Sequence, residues 1–408
     1  MDLILRNARI VGNESVTTDI GIDKGRIVAM EARLSAEGEE LDLGGRLASP
    51  GFIETHIHLD KSRILERCKA ERGDLAEAIG EVAKQKQLFT AEDVYGRAKV
   101  TLERAILNGT THMRTQLEVD PGIGLRGLEG VRPLIEEYKW AIDLEICIFP
   151  QEGLLNNPGT DELMLEALRS GGSVVGAAPY TDTNPHGQID RIFAIARELD
   201  IDIDMHLDFA PSADDLDLTY VCELTERYQW GGRVAIGHVT KLSAASPENF
   251  SQCARRMADA GVALTVLPST DLYLMGRHMQ HSVMRGVTDA HRLLQHGVNC
   301  SLSTNNVLNP FTPFGDCSLV RMANLYANIC QVGSAHDTRE CFNMITTRSA
   351  MLMNLDDYGL QVGKPADIAV LDAASPEQAV AELSPVLYAF KRGRRTVTRN
   401  PAVLHRPS

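Results

Sequence analysis

Positive charge is the scarcer sign in this 408-residue chain: acids outnumber bases 55 to 41, for a net charge of −14. That balance argues against nucleic acid as a partner. No apolar run approaches the ~20 residues that a membrane helix needs, so no membrane role is expected. The eight cysteines show no CxxC spacing, which suits the reduced thiols of a cytoplasmic protein. The opening Met1-Asp2-Leu3-Ile4-Leu5-Arg6 places an acid early and has no signal-peptide core, in line with that location. Low-complexity segments and short repeats are also missing. What remains is 44% hydrophobic residues, ample for a core, in a length that fits one large barrel with an appendage.

The chain is organised around Pro50-Gly51-Phe52-Ile53-Glu54-Thr55-His56-Ile57-His58-Leu59-Asp60-Lys61. A Pro-Gly breaker leads into an apolar run that carries histidines at i and i+2. In a strand such residues share a face, so His56 and His58 can aim two imidazoles at one metal ion.

Around this stretch, strand-like and helix-like segments alternate. Further strands are expected at Thr111–Gln116, Leu144–Pro150, Val174–Pro179, Ile203–Asp208, Val234–His238, Val262–Leu267 and Asn299–Thr304. Amphipathic stretches separate them: Ala91–Asn108, Asp161–Ser170, Ile189–Leu199, Asp215–Tyr228, Pro247–Ala260 and Asp289–His296. Eight strands alternating with helices predict a (β/α)8 barrel over residues 51–357. Residues 1–50 and 358–408 read as short strands with turn chemistry at Asp23-Lys24-Gly25, Gly44-Gly45 and Gly363-Lys364-Pro365. The two ends are expected to pair into one small β-sandwich domain.

In a barrel of this kind the site lies at the C-terminal ends of the strands, and the chemical residues fall there. His56 and His58 end the first strand, and Arg114, Thr115 and Gln116 end the second. Gln151 and Glu152 follow the third. His206 and Asp208 end the fifth, His238 the sixth, and Thr304, Asn305 and Asn306 the eighth. Four histidines at the ends of three strands point to a metal site.

The pattern resembles the amidohydrolase superfamily, and within it the cytosine deaminase-like branch. The resemblance rests on the segment from Pro50 to Asp60, Arg114-Thr115, Phe149-Pro150-Gln151-Glu152-Gly153, Asp204-Met205-His206, Gly237-His238 and Gly363-Lys364-Pro365-Ala366-Asp367. It implies one divalent ion, zinc with iron or manganese as alternatives, held by His56, His58, His206 and the eighth-strand position, Asn305. It implies a catalytic role for His238 and a substrate contact for Gln151. It also implies hydrolysis of a C–N bond in a small nitrogen heterocycle, and a homo-oligomer.

Two departures qualify that expectation. The eighth-strand aspartate of the family is Asn305 here, which offers a carbonyl oxygen but is no general base at neutral pH. The family's proton-shuttling glutamate, three residues after the fifth-strand histidine, is Phe209. Asp208, which would share the strand face of His206, is either the replacement carboxylate or a capping residue. Lys61 is either an anion contact in the site or a solvated loop lysine. Lys61, Arg114 and Lys241 leave room for an acidic substituent, and Phe209, Phe311 and Phe314 suggest an apolar lining. A different leaving group, a lyase-type reaction, or a non-catalytic homologue are the competing readings.

Overall fold

The computed structural model describes residues 1–405. Eight parallel strands form a sheet in simple chain order: Phe52–Ile57, Thr110–Glu118, Asp143–Phe149, Val174–Val175, Asp202–Leu207, Val234–His238, Val262–Val266 and Cys300–Leu302. Past the eighth strand the chain returns to the first. Asn305 N–H donates to the His56 carbonyl at 2.9 Å, and His58 N–H donates to the Asn305 carbonyl at 2.9 Å. These two bonds close the barrel at the level of the histidines.

The helices form where the sequence supplies both an apolar stripe and end signals. Ala91–Leu107 is capped by the Thr90 side chain, which accepts from Asp93 N–H. Its buried face runs through Val94, Ala98, Thr101, Leu102, Ala105 and Ile106, the spacing of one helical face. Each large aliphatic side chain on it contributes roughly 1.5–3 kcal/mol by burial. Pro247–Ala260 has Ser246 at its cap, proline in its first turn and Gly261 at φ +70° after its end, so its limits follow from the sequence.

The fourth strand is shorter than its apolar run, Val174–Pro179, suggests. Its formal ladder covers Val174–Val175, but the backbone continues alongside its neighbours. Gly176 N–H donates to Ile148 O at 2.8 Å, and His206 N–H to Ala177 O at 2.8 Å. Gly176 permits that approach, because a Cβ there would lie 2.6 Å from the Asp204 carbonyl.

Both chain ends build a second sheet. Its order is Arg394–Thr398, Val386–Lys391, Ile368–Leu371, Leu47–Pro50, Leu3–Ile10, Asn13–Asp23 and Arg26–Glu31, with Glu39–Asp42 paired to Leu3–Ile10 off that path. Leu47–Pro50 joins the two ends by running antiparallel to Ile368–Leu371. Gly44 and Gly45, both at positive φ, form the turn just before it, as their sequence suggests.

Lys391 fastens this sheet to the barrel. Its buried ammonium meets Asp367 and Asp143 at 2.7 Å each and donates to Thr111 O at 3.0 Å. His112 sits against it, and burial together with the Lys391 charge pushes its imidazole down to about 4. A histidine depressed from 6.5 is neutral in the fold, so its contribution is intact above pH 6.5 and lost as pH falls toward 4. The loss amounts to about 3 kcal/mol at full protonation. Urea unfolding at pH 7 and pH 4 should therefore show a smaller acid-induced loss of stability in His112→Asn than in wild type.

Candidate active site

His56 and His58 project from the same side of the first strand, and His206 reaches them from the end of the fifth. His56 Nε2 lies 3.1 Å from His206 Nε2, which lies 3.2 Å from His58 Nε2. Two nitrogens bound to one zinc ion at 2.0–2.1 Å stand about 3.3 Å apart. All three rings are buried. Burial lowers each imidazole's proton affinity, and neighbouring positive charge, including Lys61, lowers it further. The rings are thus held neutral, with lone pairs free for a metal. Phe149 stacks on His206 at 4.4 Å and 15°, fixing its plane.

Asn305 is placed beside them by the two bonds that close the barrel. Its φ of +64° is one that asparagine tolerates. Its buried Oδ1 has no hydrogen-bond partner among the described residues. Three neutral imidazoles and one unengaged amide oxygen fit a divalent cation.

His238 ends the sixth strand at φ +70°, and Val239 follows at +46°. The second angle is a strained one for a β-branched residue. The bend turns the ring so that its Nδ1 meets Asp271 Oδ1 at 2.5 Å. Asp271 is fully buried, and Leu267 N–H donates to its other oxygen at 3.3 Å. Burial pushes the Asp271 carboxyl up, opposed by the facing imidazole. This partner was not recognisable in the sequence beyond its place after the seventh strand. The only signal is an aspartate in the first turn of a helix that starts at Pro268, directly after that strand.

His58, His206, His238 and Asn305 open on a narrow pocket. Gln151 and Lys61 form one wall, Asn305 and Asn306 another, and Phe209, Tyr180 and Phe311 supply apolar surface. Lys61 Nζ donates to Glu118 Oε1 at 2.6 Å and to Gln151 Oε1 at 3.3 Å. It also sits 4.2 Å from the Phe311 ring centroid. The Gln151 NH2 is left without a partner, so it is free to donate into the pocket. Phe209 meets the His238 ring edge to face at 5.0 Å.

Behind Lys61 lies a buried ionic cluster. Lys86 contacts Glu118, Asp120 and Glu152. Burial alone would push the Glu118 carboxyl up, but Lys61 and Lys86 outweigh it and hold it below the usual range. The three carboxylates are spaced like metal ligands, and the Lys86 ammonium is the cation among them. Lys391 does the same for His112, Asp143 and Asp367.

Several expected site residues lie outside the pocket. Arg114 is buried with its guanidinium on Glu145 at 2.7 Å and Asp204 at 3.0 Å. Asp208 has φ +51°, and its carboxylate accepts from Asp217 N–H and Leu218 N–H at 3.0 and 2.9 Å. It thereby holds the start of the helix Asp217–Tyr228, while burial raises its carboxyl to about 6. Lys241 donates to the Asp214 and Asp215 carbonyls. Phe314 is 65% exposed and lines an outer groove instead. Asp60, just beyond the His56–His58 stretch, accepts from Lys61 N–H and Glu118 N–H.

Comparison with known proteins agrees with this geometry. The Amidohydrolase family model matches residues 140–397, and the chain belongs to that family. It is 28% identical over 402 residues to the N-isopropylammelide isopropyl amidohydrolase of Pseudomonas sp. strain ADP, covering 96% of each chain. It is 27% identical over 342 residues to the pterin deaminase of Rhizobium rhizogenes, covering 83% of this chain and 78% of that one. Its fold superposes on the 5-methylcytosine deaminase of Klebsiella pneumoniae liganded with 5-fluorocytosine, with a TM-score of 0.94 and 27% identity over 99% of each chain. The family assignment makes this chain a hydrolase of carbon–nitrogen bonds. No helix among the described residues is long and apolar enough to cross a membrane.

Proposed function

We propose that the protein hydrolyses a C–N bond in a small nitrogen heterocycle of cyclic amidine, amide or urea type, with a divalent metal, zinc by preference, held by His56, His58, His206 and the Asn305 amide oxygen. The observation that carries this reading is the convergence of the His56, His58 and His206 ring nitrogens beside one pocket, whose wall also holds His238 backed by Asp271.

A metal held there would supply the Lewis acidity that makes water an effective nucleophile at neutral pH. The remaining roles belong to the chain's own side chains. Gln151 donates its free amide hydrogens to the ring's polar edge, and Lys61 adds a cation beside it. Asn305 takes no proton. His238, with Nδ1–H donated to Asp271, presents Nε2 as the base that accepts the water proton. Asp271 stabilises the resulting imidazolium. As the C–N bond breaks, the same proton passes from His238 to the departing nitrogen; in a cyclic amidine the second hydrogen of the water ends on the ring nitrogen, which becomes N–H as the carbonyl forms, so the atoms balance.

Metal analysis of the purified protein and of His58→Ala tests this. About one zinc, iron or manganese per chain, lost in the variant, is expected. Release of ammonia or amine from a panel of cyclic amidines and ureas should follow the metal. A wild-type protein that takes up no metal even on reconstitution would overturn the proposal.

Phe209 favours a second reading. An apolar ring where the family carries an acid suits a leaving group that needs little protonation, such as a thiol. Thiol release in place of ammonia from matched ring substrates would select it.

A further inference from the structure

We infer that Asp204 is the positioning residue of the metal site, fixing the tautomer of His56 and supplying at one remove the negative charge that Asn305 lacks; this rests on the metal reading above. Asp204 lies two residues before His206 on the fifth strand and so points into the barrel with it. It is fully buried. Its Oδ2 accepts from Arg114 Nη1 at 3.0 Å. Its Oδ1 has no partner among the described residues, and neither has His56 Nδ1. These two atoms face each other at 3.8 Å, about 1 Å beyond a hydrogen bond.

Two buried polar atoms left unpaired are costly, and a donor on His56 Nδ1 would complement the acceptor on Asp204 Oδ1. An Nδ1–H donated to Asp204 leaves the lone pair of His56 on Nε2, the atom that faces His206 and His58. Carboxylates commonly hold metal-bound histidines in this way. The chain of contacts continues through Arg114 Nε to Glu145 Oε2 at 2.7 Å, where Glu145 is about 30% exposed. Asp204, Arg114 and Glu145 together carry one negative charge in excess. That is the charge missing from a ligand set of three imidazoles and an amide.

Asp204→Asn separates this role from a purely structural ion pair. Arg114 would hold the amide oxygen and turn the NH2 toward His56 Nδ1. The ring would then carry its hydrogen on Nε2, where it cannot ligate. Metal-stripped wild type, Asp204→Asn and Glu145→Gln would be titrated with Zn2+ against a chromophoric chelator and examined with Co2+ by visible absorption. The expected result for Asp204→Asn is a zinc Kd weakened by about 10–100-fold, with an altered Co2+ spectrum. Glu145→Gln, at the exposed end, should weaken it by a smaller factor of about two to five. Wild type that binds no metal would overturn the parent reading. Tight wild-type binding with an unchanged Kd and spectrum in Asp204→Asn would overturn this inference alone. If circular dichroism shows Asp204→Asn unfolded, an unchanged Kd in Glu145→Gln overturns it.

Discussion

Asp271→Asn is expected to keep its metal and its fold and to lose turnover by about 10^2–10^4-fold, the contribution of a general acid–base group. The amide would still fill the space beside His238, but its NH2 would face Nδ1 and place the ring hydrogen on Nε2. A histidine in that tautomer cannot accept the water proton. His238→Asn should lose a similar factor, and the double variant little more than either single one, because the two side chains act as one unit. Measured with any ring compound that the wild type hydrolyses, the loss should fall on kcat, with metal content unchanged. Additive losses would show that the two residues act separately.

The second large effect concerns stability. Lys86→Met removes the cation from Glu118, Asp120 and Glu152, two of which are fully buried. Breaking a buried ion pair from one side costs about 3–5 kcal/mol, because the remaining charge is stranded. Chemical denaturation should show that loss. It should be reduced when Glu118 and Asp120 are replaced by glutamine and asparagine in the same chain. The effect would also reach the pocket, since Glu118 is the partner of Lys61. A Lys86→Met protein as stable as wild type would mean that the carboxylates neutralise by taking up protons.

Much of the barrel was legible because its segments are local in cause. Val234–His238 and Pro247–Ala260 end where their sequence signals end. The strand-end histidines were legible for the same reason, since a spacing of two residues determines a face. Asp208 shows where that rule stops. The strand ends at Leu207, and a positive φ at Asp208 turns its side chain to a helix start, so it no longer shares the face of His206. The His238–Asp271 pair and the Arg114–Asp204 pair join residues on different elements, 33 and 90 positions apart. No local period encodes them. The order of the second sheet was hidden likewise, because it depends on which strands of the two chain ends meet.

The barrel seam has a kinetic consequence. The first strand and the segment after the eighth are stitched by bonds such as Thr55 N–H to Ser303 Oγ, across 248 residues. The same seam brings Asn305 to His56 and His58. The ligand set proposed for the metal is therefore complete only once the last barrel strand has docked, and contacts of such long range form late in folding. Metal added to a refolding chain would then act as a latch on a finished barrel rather than a seed for an unfinished one. It should leave the early folding phases unchanged and slow unfolding. At a free-metal concentration a hundred times Kd the latch is worth about 2.7 kcal/mol.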